Sequence, residues 1–155
     1  MTEEDIRKLS YLKAVTMESL RRHPPSHFFL LHRVIDEMEL NGYALSKNTI
    51  IYFMVREMGL NPNMWEDPTE FKLERFLMGD HREDSETFDI TGSREIEMMP
   101  FSIGRRICRS YNFAMFHLEY FVANLIWYFE WKLVEGDDVD LNEEMDFTFT
   151  MKNVL

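Results

Sequence analysis

The segment Pro100 to Ser110, Pro-Phe-Ser-Ile-Gly-Arg-Arg-Ile-Cys-Arg-Ser, constrains this chain more than any other. It holds the only cysteine, Cys108, and runs into a long apolar stretch, Asn112 to about Trp131, that reads as a helix. The thiol therefore stands in a tight loop just ahead of a helix N-terminus. The partial positive charge of that end favours an anion such as a thiolate, and Arg105 and Arg106 add positive charge nearby. A thiolate so placed is a metal ligand or a nucleophile. Read without its neighbours, an isolated cysteine is instead a small, inert core residue. The helix is apolar nearly all round, from Phe113, Ala114, Met115 and Phe116 to Leu125, Ile126 and Trp127, so it is expected to be buried on most faces. His117, Glu119, Asn124 and Glu130 interrupt it, which reads as a globular helix and not a membrane span.

A chain of 155 residues is one domain's worth. Hydrophobic residues at 45%, aromatics at 14% and 12 methionines predict a large apolar interior. The net charge of −11 argues against nucleic acid as a partner. A single cysteine leaves no disulfide partner within the chain.

Thr2 with Asp5 predicts a capped first helical turn. A helical pattern follows through Leu9, Leu12, Val15 and Leu20, with a break near Leu9–Ser10 that Ser10 could cap. Pro24 and Pro25 end it. Within it, Glu18 and Arg21 share a face. An arbitrary pair of this kind is a surface ion pair of little worth. Asn41-Gly42 predicts a hairpin between Glu37–Leu40 and Tyr43–Leu45, and Thr49–Phe53 is β-prone. Val55–Leu60 suggests a turn or two of helix, closed by Asn61-Pro62. The polar, aperiodic stretch Gly79–Gly92 reads as a surface loop containing a solvated His81. Beyond Trp131 the chain is acidic, consistent with a solvated surface, and Phe147–Thr150 alternates like a short strand.

Phe101, Gly104, Arg106 and Cys108 fall at the spacing Phe-x-x-Gly-x-Arg-x-Cys, which resembles the haem-binding loop of cytochrome P450 monooxygenases. Four fixed positions within eight residues make a specific signal. The resemblance extends along the whole chain. Thr16–Pro25 is similar to the family's helix K, with its Glu-x-x-Arg. Asn63–Pro68 and Phe71–Phe76 are similar to its Trp-x-Asp-Pro and Phe-x-Pro-Glu-Arg-Phe elements. The apolar helix resembles helix L, and the Arg-Arg-x-Cys form looks most like plant microsomal members.

The resemblance implies a mainly α fold with a small β region, the C-terminal part of the cytochrome P450 fold: helix K, β hairpins, cysteine loop and helix L. Residues 1–155 would form a partial domain, without the oxygen-activating helix and the N-terminal anchor. The implied cofactor is haem b, with Cys108 as axial iron ligand, Arg106 and His32 on propionates, and Phe101 and Gly104 shaping the loop. Glu18, Arg21 and Arg75 would form a structural ion-pair cluster without chemistry of their own. The implied activity is insertion of one oxygen atom from O2 into a small organic substrate. Electrons would come from NADPH-cytochrome P450 reductase, and an intact member would sit in the endoplasmic reticulum membrane.

Six positions depart from the family's pattern: Ser102 and Ser110 replace glycines, Leu31 and Leu73 replace prolines, and Ser46 and Asn48 stand where the family often has proline and glycine. Serine at 102 and 110 is expected to strain or crowd the loop. Asn48, standing where the family often has glycine, is a mild change because asparagine tolerates the left-handed region. With its partner layers missing, the chain alone is expected to bind haem weakly and oxidise nothing. Two alternatives are a non-catalytic truncated remnant or interaction protein without bound haem, and a zinc or cysteine-nucleophile protein using Cys108 with His23, His27, His32 or His117. A lone cysteine is a poor zinc signal.

Overall fold

The computed structural model describes residues 2–77, 90–92, 96–132, 142–145 and 149–152. Helix α1 (Glu3–Arg7) opens on the predicted cap: the Thr2 hydroxyl accepts from the Asp5 N–H, and the Asp5 carboxylate accepts from Thr2. The chain breaks and resumes as α2 (Ser10–Arg22). Leu9, not Ser10, takes the N-cap position, and no side chain caps the helix there. The start of α2 is held instead by packing, since Leu12 and Ala14 are already buried. Arg22 is its last residue, ahead of Pro24 and Pro25.

The β region is a set of short antiparallel pairs. β1 (His32–Arg33) pairs with β4 (Ile50–Ile51), and β2 (Met38–Leu40) with β3 (Tyr43–Leu45). Leu40 stands opposite Tyr43, so Asn41-Gly42 is a two-residue turn. Both residues have positive φ, 53° and 84°, as a primed hairpin turn demands. Asn48 also sits at φ 70°, and its N–H reaches Val34 O at 2.9 Å. The β1–β4 pairing continues irregularly through Phe29–Phe53 to Val55 N–H on His27 O, 2.8 Å, which launches α3 (Val55–Gly59).

A 3-10 turn at Leu73–Arg75 lies against α2. Another, Gly104–Arg106, precedes α4 (Tyr111–Tyr128), which packs on α1 and α2. β5 (Glu143–Met145) and β6 (Phe149–Met151) form a further pair. His81, most of the acidic run and Phe147-Thr148 lie outside the described residues.

One core cluster joins Met17 and Leu20 of α2 to Trp65, Ile90 and Met98, with Phe76, Phe101, Tyr111 and Met115 packed against it. Ile90 corrects the surface-loop reading at that end of the polar stretch. It is an apolar anchor, and Gly92 behind it is so close to the cysteine loop that an added Cβ would stand 2.9 Å from Ile103 Cγ2. A smaller cluster joins Ile6, Leu12 and Ala123, with Phe116 and Val122.

The expectation that α4 is buried on most faces does not hold within this chain. Its buried residues are Glu119 and Ala123, while Phe113, Ile126 and Trp127 are 64%, 67% and 70% exposed. Among the described elements α1 and α2 lie against it, and its first turns meet the core around Met98, which together cover one side of the helix.

Candidate functional site

Backbone hydrogen bonds shape the cysteine loop. Cys108 N–H donates to Phe101 O at 2.9 Å and closes the loop on itself. Ile107 N–H reaches Gly104 O at 3.2 Å, and Tyr111 N–H reaches Cys108 O at 3.2 Å, which feeds the chain into α4. Two residues take left-handed backbone, Ser102 at φ 65° and Gly104 at φ 61°. Phe101 is half-buried and ties the loop to Met17 and Leu20 through the shared core. Cys108 is a free, exposed thiol, so the inert-core reading of the lone cysteine fails. Arg105, Arg106 and Arg109 are exposed beside it.

The two serine departures separate. Ser102 occupies a conformation that costs an L-residue about 1–2 kcal/mol over glycine. Ser110 has φ −100° and ψ 15°, which any residue adopts, so nothing in its backbone calls for glycine.

His32 lies on β1, half-buried. Its Nδ1 donates to Leu30 O at 2.8 Å, and its ring meets Phe53 edge-on at 5.2 Å. The carbonyl can only accept, so Nδ1 carries a proton, and Nε2 is left for another partner. His117 donates through Nδ1 to Phe113 O at 2.9 Å and stacks on the Phe113 ring, as a helix-surface histidine does. Among the described residues no three His, Cys, Asp or Glu side chains gather as a metal site would require.

The structure brings Glu18, Arg21 and Arg75 together. Glu18 and Arg21 are fully buried, so this is not a surface pair. Arg21 Nε donates to Glu18 Oε2 at 2.7 Å and Nη2 to Oε1 at 2.8 Å, a two-pronged pair. Its remaining donors reach Gly59 O, Pro68 O at 2.9 Å and Glu70 O at 3.2 Å, so all five N–H groups are used. Glu18 Oε1 also accepts the Lys72 backbone N–H at 2.9 Å and lies 3.5 Å from Arg75 Nε. Arg75 Nη2 donates to Asp67 O at 2.9 Å. The Arg21 guanidinium stands 5.3 Å from the Trp65 ring centre. Sequence reasoning missed the carbonyls of Gly59, Pro68 and Glu70, since every residue has one. The single legible hint was Gly59, where a Cβ would collide with the Arg21 carbonyl oxygen.

Two further electrostatic features lie outside the loop. A hydrogen bond from Lys72 holds the Asp67 carboxyl below its ordinary range, and the same bond raises Lys72. Glu119, buried on α4, is pushed up by loss of water, opposed by Lys13 and Arg7.

With this geometry in view, comparison with known proteins is direct. The family model for Cytochrome P450 matches residues 1–155. The chain belongs to the cytochrome P450 family. It is 55% identical over 152 residues to Cytochrome P450 89A9 of Arabidopsis thaliana, covering 97% of this chain and 29% of that protein. It is 38% identical over 146 residues to Flavonoid 3',5'-hydroxylase CYP75B138 of Crocosmia x crocosmiiflora, covering 92% and 27%. Among solved structures, retinoic acid bound cyanobacterial CYP120A1 superimposes with a TM-score of 0.80 at 25% identity, covering 98% of this chain and 32% of that one. The expected mainly α fold with small antiparallel β pairs is therefore shown. The chain spans less than a third of the length of these cytochromes P450.

Haem b is the cofactor of that family. The donor set suits it: an exposed soft sulfur for iron, and guanidinium groups for carboxylates. An added Cβ at Gly104 would meet no atom within 4 Å, so that glycine answers to its left-handed φ and not to a crowding neighbour.

Proposed function

We propose that this chain forms the proximal, thiolate-bearing part of a haem-dependent monooxygenase acting on a small organic substrate. The observation that carries the reading is the exposed Cys108 thiol, its backbone fixed to Phe101 at 2.9 Å at the foot of an apolar helix. When bound, the haem supplies the iron chemistry that activates O2 and inserts one oxygen atom. Cys108 Sγ would hold the iron. Arg106, through its forked donors, and His32, through an Nε2–H that only the doubly protonated ring carries, would hold the propionates. Phe101 would pack beside the thiolate, anchored in the core with Met17 and Leu20. Gly104 gives the loop its reversal. The Glu18–Arg21–Arg75 cluster does no chemistry. It fixes α2, and α2 fixes the loop through Met17 and Leu20. Electrons come from NADPH-cytochrome P450 reductase. The endoplasmic reticulum membrane is the proposed site of the whole protein, on its similarity to plant relatives. Among the described residues no helix is long and apolar enough to cross a membrane.

The test is a full-length protein carrying this segment. The parent is expected to give the reduced carbon monoxide spectrum of thiolate-ligated haem, and C108S to lose it. An unchanged spectrum in C108S overturns the reading. R106A is expected to release haem faster without moving the band.

A second reading is that the chain by itself persists without haem. The left-handed Ser102 and the exposed apolar side of α4 favour it. Titration of the purified chain with haem is expected to give weak, unsaturated binding. A stable stoichiometric thiolate complex would exclude it.

A further inference from the structure

The turn from Asp67 to Lys72 supplies most of the outer shell of the buried ion pair. Pro68 O and Glu70 O accept from Arg21, Asp67 O accepts from Arg75, and the Lys72 N–H donates to Glu18. Should this turn open, the buried guanidinium loses two acceptors and the buried carboxylate a donor. Charged groups left so are expensive.

The turn has reasons to open. Asp67 sits in the left-handed region at φ 44°. Glu66, Asp67 and Glu70 put three acids within five residues, in a chain of net charge −11. Besides its bonds to Arg21, Arg75 and Glu18, the turn is held by one backbone bond, Glu70 N–H to Asp67 O at 2.9 Å, and from the solvent side by the Lys72 side chain. Its ammonium contacts the Asp67 carboxylate and lies 3.4 Å from the Glu70 carboxylate, across both ends of the turn. It is one-third exposed, within reach of salt.

We propose that Lys72 is an electrostatic clamp. By bridging Asp67 and Glu70 it holds the 67–72 turn closed over Glu18 and Arg21, and its grip, set by ionic strength, governs how often that pair meets water. Lys72 is a positioning residue, acting through the turn. This goes beyond the proposed function and does not depend on haem.

The test is backbone hydrogen exchange of the chain at low and at 1 M salt, read at the Glu70 and Lys72 amides, with α2 amides as the control for global unfolding. Solvated ion pairs are weak, so K72M is expected to speed exchange at those two amides about two- to fivefold at low salt. The gap should narrow at about 1 M salt, where the screening length falls to ~3 Å. K72R, which keeps the charge, is expected to follow the parent. Equal exchange in K72M and parent overturns the proposal. So does a K72M effect undiminished in high salt, or K72R behaving as K72M, since either would make the lysine stem and not its charge responsible. If K72M also exposes α2, D67N and E70Q each remove one arm of the clamp and keep the lysine. Each is then expected to give part of the acceleration, and its absence in both overturns the proposal. Because the readout needs no haem, failure here leaves the C108S experiment untouched, and the reverse.

Discussion

At the scale of single residues, the cysteine loop shows why two substitutions of the same kind differ. Ser102 and Ser110 both stand where the resemblance to the family leads one to expect glycine, yet of the two only Ser102 has positive φ. Glycine there relieves about 1–2 kcal/mol of backbone strain, offset by about 0.5–1 kcal/mol of extra freedom in the unfolded chain. S102G is therefore expected to raise stability slightly, by up to about 1 kcal/mol, in urea unfolding. S110G, at a negative-φ N-cap whose side chain makes no capping bond, is expected to shift it by a few tenths of a kcal/mol at most. Equal effects from the two would remove strain as the explanation. The four loop positions were legible because the motif lies within eight residues. The difference between the two serines was not, because a dihedral is set by the whole loop closure.

At the scale of elements, α2 organises the molecule by presenting buried charge on one side and Met17 and Leu20 on another. Helix α3 approaches it so closely that Gly59 touches the Arg21 backbone. G59A is expected to push the helices apart and lengthen the Gly59 O contact to the guanidinium. The loss, about 1–3 kcal/mol or more, should appear as a lower midpoint in denaturant. A second junction, α4 on α1 and α2, buries Glu119. Its folded-state pKa lies above the ordinary 4.5, so the folded state holds the proton more tightly than the unfolded. Stability from this group is greatest below 4.5 and falls as pH rises through the window between that value and the raised one. E119Q is expected to flatten that part of the profile and to exceed the parent in stability at neutral pH. Parallel profiles for the two, from acid to neutral, would show that Glu119 is charged at no cost. Glu119 looked in sequence like one polar interruption among several, because nothing local distinguishes a buried carboxyl from a solvated one.

At the scale of the whole molecule, apolar side chains outnumber the places to bury them. Phe121, Ile126, Trp127 and Tyr128 of α4 are exposed, as are Leu30, Ile35 and Tyr43 of the β region. Apolar surface exposed on this scale associates in water. The purified chain is expected to self-associate and to bind a hydrophobic dye, and I126E with W127E to reduce both. A monomeric, dye-negative parent at micromolar concentration would contradict this.

The sequence by itself determined what depends on neighbours a few residues apart. The Thr2–Asp5 cap, the Asn41-Gly42 turn, the end of α2 before Pro24 and the spacing of the cysteine motif all follow from local dihedrals, sterics and hydrogen bonds. Tertiary structure alone decided what depends on sum and distance. It made Glu18–Arg21 a buried pair, brought the Lys72 amide across 54 residues to Glu18, and left α4 uncovered on one side. Carbonyl groups carry no letter in a sequence, and burial is the total of all partners an element meets, so neither can be read from the residue that experiences it.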